Sequence, residues 1–406
     1  MQTRRDFVKD VAGTLGTLAV PAGVLGANDR VRLGVIGPGV RGTQLLGYAL
    51  KCPNAEVVAF ADVFTKRLEA AQKVVPAAKT YLDYRLLLED KSIDAVMIAT
   101  PQHLHCEHFV ASLEAGKHVY QEKTLAFSVA DAKKMRAARL KRPKQVVAVG
   151  HQDCSSPQIA EARAFIEKGW LGKITEIHSH MYRNTPHDRP QWARPVTPDM
   201  TQENIIWKSF LGPAPDRPFD ANRYLNWRFF WDYSGGNFYE NMCHQVAFWY
   251  KVMNLEIPKT VSTVGGLFLW KDGREVPDTV LVGMVHAKEE MLFNWDSGFG
   301  NVQLGISEDV LGTDGTISRS EGQKLRYRPQ RVNRRDLQET FSDTAQSYPV
   351  SELAIVQDFM DCVRSGKEPC CPFELGFRAA IASRMAVESY LQKRMVGWDS
   401  AKEVIV

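Results

Sequence analysis

The chain carries no block of like charge: 51 Lys and Arg stand against 47 Asp and Glu over 406 residues, a net charge of +4. That balance leaves no electrostatic footprint for a phosphate backbone and excludes a nucleic-acid partner. Long hydrophobic runs are missing too. The apolar stretch near the start, Val11–Val20, is short and diluted with glycine, too weak for a stable membrane span. Cysteine is sparse: seven residues (52, 106, 154, 243, 362, 370 and 371), an odd set without C-x-x-C spacing, imply no disulfide framework. The adjacent Cys370–Cys371 pair reads as loop packing rather than redox chemistry. No internal repeat or low-complexity tract interrupts the chain. What remains, 44% hydrophobic and 24% charged, is a soluble globular composition. The length exceeds one ordinary core, so two domains are expected.

Against those absences stands one strong motif. Leu33–Ile36 is a short apolar strand running into Gly37-Pro38-Gly39-Val40-Arg41-Gly42, a G-x-G-x-x-G pattern, and Thr43–Leu50 then reads as a helix. The first glycine permits the tight turn. The second lets the backbone through Val40 and Arg41 approach a pyrophosphate, and the third lets helix and strand pack closely. The helix start directs free N–H groups and a positive dipole end at the phosphates. A second strand, Glu56–Ala61, ends in Asp62, about twenty residues beyond the glycines, where a carboxylate hydrogen-bonds the adenosine ribose. The spacing predicts a bound dinucleotide. Asp62 would repel a 2′-phosphate, so NAD is expected over NADP, while Lys66 and Arg67 close behind keep NADP open.

Helical segments at 66–74, 84–90, 105–115 and 129–140 alternate with apolar strands at 94–99, 117–120 and 145–149, with Ser128 placed to cap the last helix. Over residues 30–150 this rhythm describes a doubly wound parallel sheet. After His151 it changes. Helix 157–168 is followed by strand-like segments at 174–182, 260–265, 279–286 and 290–295, a turn at 312–316, and closing helices at 352–364 and 375–393. The fold class is therefore α/β: an N-terminal Rossmann-type domain, then residues 151–406 as an α/β domain on a largely antiparallel sheet. Residues 185–198, rich in Pro, Arg and Trp, are expected to loop over a site.

Residues 1–27 read as a twin-arginine export signal: Thr3-Arg4-Arg5-Asp6-Phe7-Val8-Lys9 precedes the weak apolar segment, with removal near Ala27. An amphipathic helix retained in the cytoplasm is the other reading. Export of a folded protein to the periplasm leaves the cytoplasmic nicotinamide pool behind. The cofactor would then enter before export, stay bound and be regenerated within each cycle.

With the glycine loop, Ala99-Thr100-Pro101-Gln102-His103-Leu104-His105 and Glu122-Lys123 in one domain, the chain resembles the glucose–fructose oxidoreductase and inositol dehydrogenase family (Gfo/Idh/MocA). Phe230–Gly236, Asn241-Met242-Cys243-His244, Gly312–Thr316 and Val363–Gly366 extend the likeness over nearly the whole chain after the signal and fit the exported branch. The resemblance implies a large open sheet used for oligomerisation, as a dimer or tetramer, a nicotinamide cofactor and a sugar or polyol substrate. It adds Thr100, Pro101, His103, His105, Glu122 and Lys123 to Gly37, Gly39, Val40, Arg41, Gly42 and Asp62 as cofactor-binding residues.

It also implies a site for the proton. A hydride leaves a carbinol carbon only as the hydroxyl proton is removed, so a positioned acid/base is required. The family lysine, matched by Lys123, hydrogen-bonds the reacting hydroxyl; Thr124 here replaces the family's proline. Glu240 stands where relatives carry Asp or Asn, and His244 matches the family histidine, so a helix there would put the two on one face. A further acid in the pattern His-x-x-Asp is Ala247 here. Tyr239 is a further candidate donor, or core. The aromatic run Trp207, Tyr224, Trp227, Phe229, Phe230, Trp231 and Tyr233 reads singly as core and as a cluster as a carbohydrate cleft. Arg183, His187, Arg189, Trp192 and Arg194 are lid candidates. His178 and His180, with Glu240 and His244, offer a metal site that no spacing demands; no metal is expected. Three functions follow: a sugar oxidoreductase, a redox-neutral NAD-dependent glycosidase, or a non-catalytic sugar binder.

Overall fold

The computed structural model describes residues 30–406, so the export-signal reading of residues 1–27 lies outside the described residues. The first sheet is built from β1 (Val31–Ile36), β2 (Ala55–Ala61), β3 (Lys79–Tyr81), β4 (Ala95–Ile98), β5 (His118–Gln121) and β6 (Val147–Val149). Its order is β3-β2-β1-β4-β5-β6, all parallel. That is the dinucleotide-binding order, and it reverses between β1 and β4, opening a crevice at the carboxyl ends of those strands. Helices α1 (Val40–Ala49), α2 (Thr65–Val74), α3 (Tyr84–Glu89), α4 (His105–Glu114) and α5 (Val129–Lys141) supply the crossovers. All four residues of β4 are buried, as a strand covered on both faces requires. Ser128 caps α5 by accepting from the Asp131 N–H at 3.1 Å.

The second domain opens with α6 (Gln158–Glu167) and β7 (Ile174–Met181), followed by short helices α7 (Trp207–Leu211) and α8 (Ala221–Leu225) and by α9 (Cys243–Met253). Then come β8 (Thr260–Gly266), β9 (Thr279–His286), β10 (Met291–Gly298), β11 (Ile306–Gly312), β12 (Gly315–Ser320), β13 (Lys324–Pro329) and β14 (Thr340–Ala345). Helices α10 (Tyr348–Ser365) and α11 (Phe373–Gln392) and strands β15 (Val396–Asp399) and β16 (Val404–Ile405) close the chain. The sheet has ten strands in the order β14-β13-β12-β11-β7-β10-β9-β8-β15-β16, antiparallel at every pair except β7–β10. Val280, Val282 and Met284 point inward, while the alternating Leu281 and Val285 stay exposed on the other face.

Strands β11 and β12 were not visible as apolar alternation, and the structure shows why. Their buried positions include charge: Arg319 on β12 donates to Glu308 on β11 and to Asp153, each at 2.9 Å, with all three side chains 2% exposed or less. An ion triad satisfied inside the fold erases the hydrophobic signature that a strand otherwise writes.

The boundary at residue 150 marks where the first sheet ends, yet the closing helices return to the first domain. The Val149 N–H donates to Cys371 O at 2.9 Å, the Phe109 and Phe373 rings lie 5.7 Å apart, and one hydrophobic core runs through both units. All seven cysteines are free, and no helix among the described residues is long and apolar enough to cross a membrane.

The glycine loop sets a sharp steric test. A Cβ on Gly42 would stand 2.2 Å from the Gly37 carbonyl oxygen, whereas one on Gly47, in the same helix, would meet nothing within 4 Å. Gly42→Ala is expected to lower stability by about 1–3 kcal/mol through backbone displacement. Gly47→Ala should raise it by about 0.5–1 kcal/mol through helix propensity. Chemical denaturation of the two variants checks the difference in sign.

Candidate active site

A cavity of about 880 Å³ opens at the ends of β1 and β4 and runs into the second domain. Its first half is a cradle. Gly37 turns the chain at φ +84°, and Gly39 begins α1 without a side-chain cap, leaving backbone rather than side chain at the cavity wall. Val40, Arg41, Thr100 and Pro101 line the same wall, and Gly42 lies beneath it, tight against Gly37. A dinucleotide fits these residues: side-chain-free backbone meets the phosphates, and the buried Asp62 lies at the end of β2 for the ribose.

Asp62 Oδ1 accepts from the Phe64 N–H at 2.9 Å, and burial raises its pKa against the opposing pull of Arg67, 3.8 Å away. Both basic residues that kept NADP open are engaged. Arg67 faces Asp62 and the Tyr224 ring, and Lys66 pairs with Glu69 at 2.9 Å.

The second half of the cavity is charged. β5 delivers Glu122 and Lys123. Glu122 accepts from Arg41 Nε at 2.8 Å and from the Lys123 N–H at 3.1 Å, while the Arg41 guanidinium also grips both oxygens of Glu352 at 2.7 Å. Lys123 pairs with the other domain rather than with Glu122: its Nζ lies 3.2 Å from Glu240 Oε2 and donates to Glu240 O at 3.2 Å and Tyr239 O at 3.5 Å. The Lys123–Thr124 peptide bond is cis, and the Thr124 hydroxyl also donates to Tyr239 O, at 2.9 Å.

Glu240 gathers three donors: Lys123, Arg228 Nε at 2.8 Å and Gln102 Nε2 at 2.6 Å. Burial opposes its ionisation, but Arg228 and Lys123 outweigh burial and hold the carboxyl at about 2. His244 lines the same cavity from the start of α9. Burial, then Lys123 and the edge-on His151 ring at 5.9 Å, push its pKa well below that of an ordinary histidine, so it is neutral near pH 7. A neutral imidazole beside an ammonium and a carboxylate is equipped to accept a proton from a hydroxyl.

Several expected residues are placed elsewhere. His103 is buried in an aromatic pocket, its Nε2 2.7 Å from Phe210 O, and His105 bridges the carbonyls of Thr124 and Thr100. Both staple the wall from behind and do not face the cavity. Tyr239 donates its hydroxyl to Phe127 O at 2.6 Å, away from the site, because Phe238–Met242 winds as a wider π-helical turn. Of the aromatic run, only Tyr224 and Trp227 reach the cavity wall. Trp207, Phe229, Phe230 and Tyr233 form a separate buried core with Phe64 and Phe210, and Trp231 packs against Tyr390. Arg183, Trp192 and Arg194 line the cavity, whereas His187 and Arg189 do not. His180 pairs with Asp296 and His178 with Glu176, and no cluster of metal-ligating residues occurs among the described residues.

Sequence reading missed Arg228, Gln102 and Glu352. Gln102 lay inside a motif already singled out. Arg228 and Glu352 are bound to the site only by long-range contacts, which leave no local signal.

Comparison with known proteins agrees with this geometry. Residues 31–151 match the Gfo/Idh/MocA oxidoreductase family, NAD-binding Rossmann fold, and residues 216–397 match that family's C-terminal alpha/beta domain. Inositol 2-dehydrogenase of Salmonella typhimurium is 31% identical over 154 residues, 37% of this chain and 46% of that protein. A glycosyl hydrolase family 109 protein of Stenotrophomonas maltophilia is 28% identical over 188 residues, 43% of this chain and 41% of that protein. The matched stretches thus span less than half the length of these curated relatives. The solved levoglucosan dehydrogenase complex with NADH and levoglucosan superposes with a TM-score of 0.71 at 20% identity, over 91% of this chain and 99% of that one, a likeness of fold. The chain belongs to the Gfo/Idh/MocA oxidoreductase family, with an NAD-binding Rossmann domain followed by the family's C-terminal α/β domain.

Proposed function

We propose that this protein oxidises a hydroxyl of a sugar or polyol with NAD. The observation that carries the reading is the meeting of Lys123, Glu240 and His244, from two domains, in one cavity continuous with the glycine cradle. When bound, the nicotinamide supplies a two-electron acceptor for the hydride. The residues of the chain do the rest. Gly37, Gly39, Val40 and Arg41 offer backbone to the pyrophosphate, Asp62 holds the ribose, and Thr100 and Pro101 flank the crevice. Lys123 hydrogen-bonds the reacting oxygen and stabilises negative charge on it, and His244 takes the hydroxyl proton. The C–H bond breaks as hydride, the O–H bond as proton, and a carbonyl remains. Glu240 keeps Lys123 aimed and balances its charge.

The same chemistry supports a redox-neutral second reading, in which transient oxidation drives elimination and hydration of a glycoside before the hydride returns. The glycosyl hydrolase family 109 relative favours keeping it. Arg4-Arg5 supports export to the periplasm with NAD retained. The exposed Val264, Leu281, Val285 and Leu292 on the uncovered sheet face support assembly as a dimer or tetramer.

Lys123→Ala and the bulk-preserving Lys123→Met should each lower kcat about 10²- to 10⁴-fold on a sugar panel, read by nicotinamide absorbance. Retained NAD, measured by mass spectrometry, should be unchanged; unaltered turnover would reject Lys123. Glycoside cleavage without added acceptor would favour the second reading. Because the His244 pKa is depressed, kcat/KM should stay flat between about pH 6 and 8 instead of falling near an ordinary histidine's pKa of about 6.5. Replacing Arg4 and Arg5 with lysine should move the protein from the periplasmic to the cytoplasmic fraction on cell fractionation.

A further inference from the structure

Arg183 lies two residues past the end of β7, anchored by its N–H donating to Gly298 O at 3.0 Å. Its side chain lines the cavity on the second-domain side. The acceptor its guanidinium finds is the Met181 sulfur at 3.9 Å, and among the described residues no carboxylate lies within 4.0 Å of it. The cations nearest the reacting end are matched: Arg41 by Glu122 and Glu352, and Lys123 and Arg228 by the shared Glu240. Arg183 is nonetheless close enough for its charge to act on His244 and on Glu240.

A half-buried guanidinium without an anion in contact is left to the cavity for a partner, and burial lowers the Arg183 pKa, with Tyr348, Glu321 and Glu240 the groups that oppose this. Its planar fork matches a carboxylate with two parallel hydrogen bonds. The charges around the reacting end point the same way. Lys123, Arg228 and Arg41 stand against Glu240, Glu122 and Glu352, three charges against three, which leaves the charge of Arg183 for an anion of the substrate. One carboxylate matches it; a phosphate dianion would overfill it.

We propose that the substrate is an acidic sugar, a uronate or aldonate, whose carboxylate is taken by Arg183 while the hydroxyl to be oxidised lies at Lys123 and His244. This rests on the oxidoreductase reading above. The carboxylate itself is unchanged in the reaction: the alcohol carbon loses hydride to the nicotinamide and its oxygen loses the proton.

The test uses the NAD-loaded protein with glucuronate, galacturonate and gluconate, with glucose, galactose and glucitol as neutral counterparts, and glucose 6-phosphate as the phosphate arm. Nicotinamide reduction gives kcat and KM, and isothermal titration gives binding independently of turnover. The acids should exceed their neutral counterparts about 10- to 100-fold in kcat/KM, mostly through KM. Arg183→Met should collapse that preference by a similar factor, and Arg183→Lys should restore part of it. Neutral sugars used as well as the acids, tighter binding of the phosphate, an equal loss for both classes in Arg183→Met, or no binding of either class would each overturn the proposal. Acid binding that depends on Arg183 but yields no turnover would keep the carboxylate site and overturn the oxidoreductase reading instead.

Discussion

The buried contact between Lys123 and Glu240 joins the end of a Rossmann strand to the π-helical turn of the second domain, and the site depends on it. Their side chains are only 13% and 6% exposed, so neither charge is satisfied by solvent. Removing Glu240 would strand both Lys123 and Arg228, a penalty of about 3–5 kcal/mol, whereas without Lys123 the carboxylate still keeps Arg228. Arg228 and Gln102 complete the shell of Glu240, and two backbone carbonyls complete that of Lys123. The lysine is therefore aimed by the second domain although it belongs to the first.

A second ionic clasp stands beside the first, toward the glycine loop. Arg41 leaves the glycine loop, touches Glu122 beside Lys123, and reaches Glu352 on the returning helix α10. The two clasps flank the space between phosphate cradle and reacting centre, so relative movement of the domains strains both. The glycine cradle and the Lys123–Glu240–His244 cluster are in this way held at a fixed spacing, which the proposed reaction requires for a hydride and a proton to leave one substrate carbon and its oxygen together.

The parts legible in the sequence are those written locally. Gly37, Gly39, Gly42 and Asp62 follow from backbone sterics and strand spacing, and Lys123, Glu240 and His244 from the family pattern. Strands β11 and β12 were hidden because Arg319, Glu308 and Asp153 satisfy one another inside the fold. His103, His105 and Tyr239 misled because a polar side chain near a motif carries no mark of its direction. Here each spends its hydrogen bonds on a backbone carbonyl behind the wall. The aromatic run misled in the same way: density of rings signals burial, and only contacts between distant segments decide whether that burial is core or cleft.

The most direct measurement is a crystal structure of the protein with NADH and a bound sugar. The account predicts the pyrophosphate on the Gly39–Arg41 backbone, with the nicotinamide beside Lys123. It also predicts a sugar hydroxyl within about 3 Å of both the Lys123 amine and the His244 ring. A nicotinamide lodged away from Lys123, or a sugar bound where neither Lys123 nor His244 touches it, would contradict it.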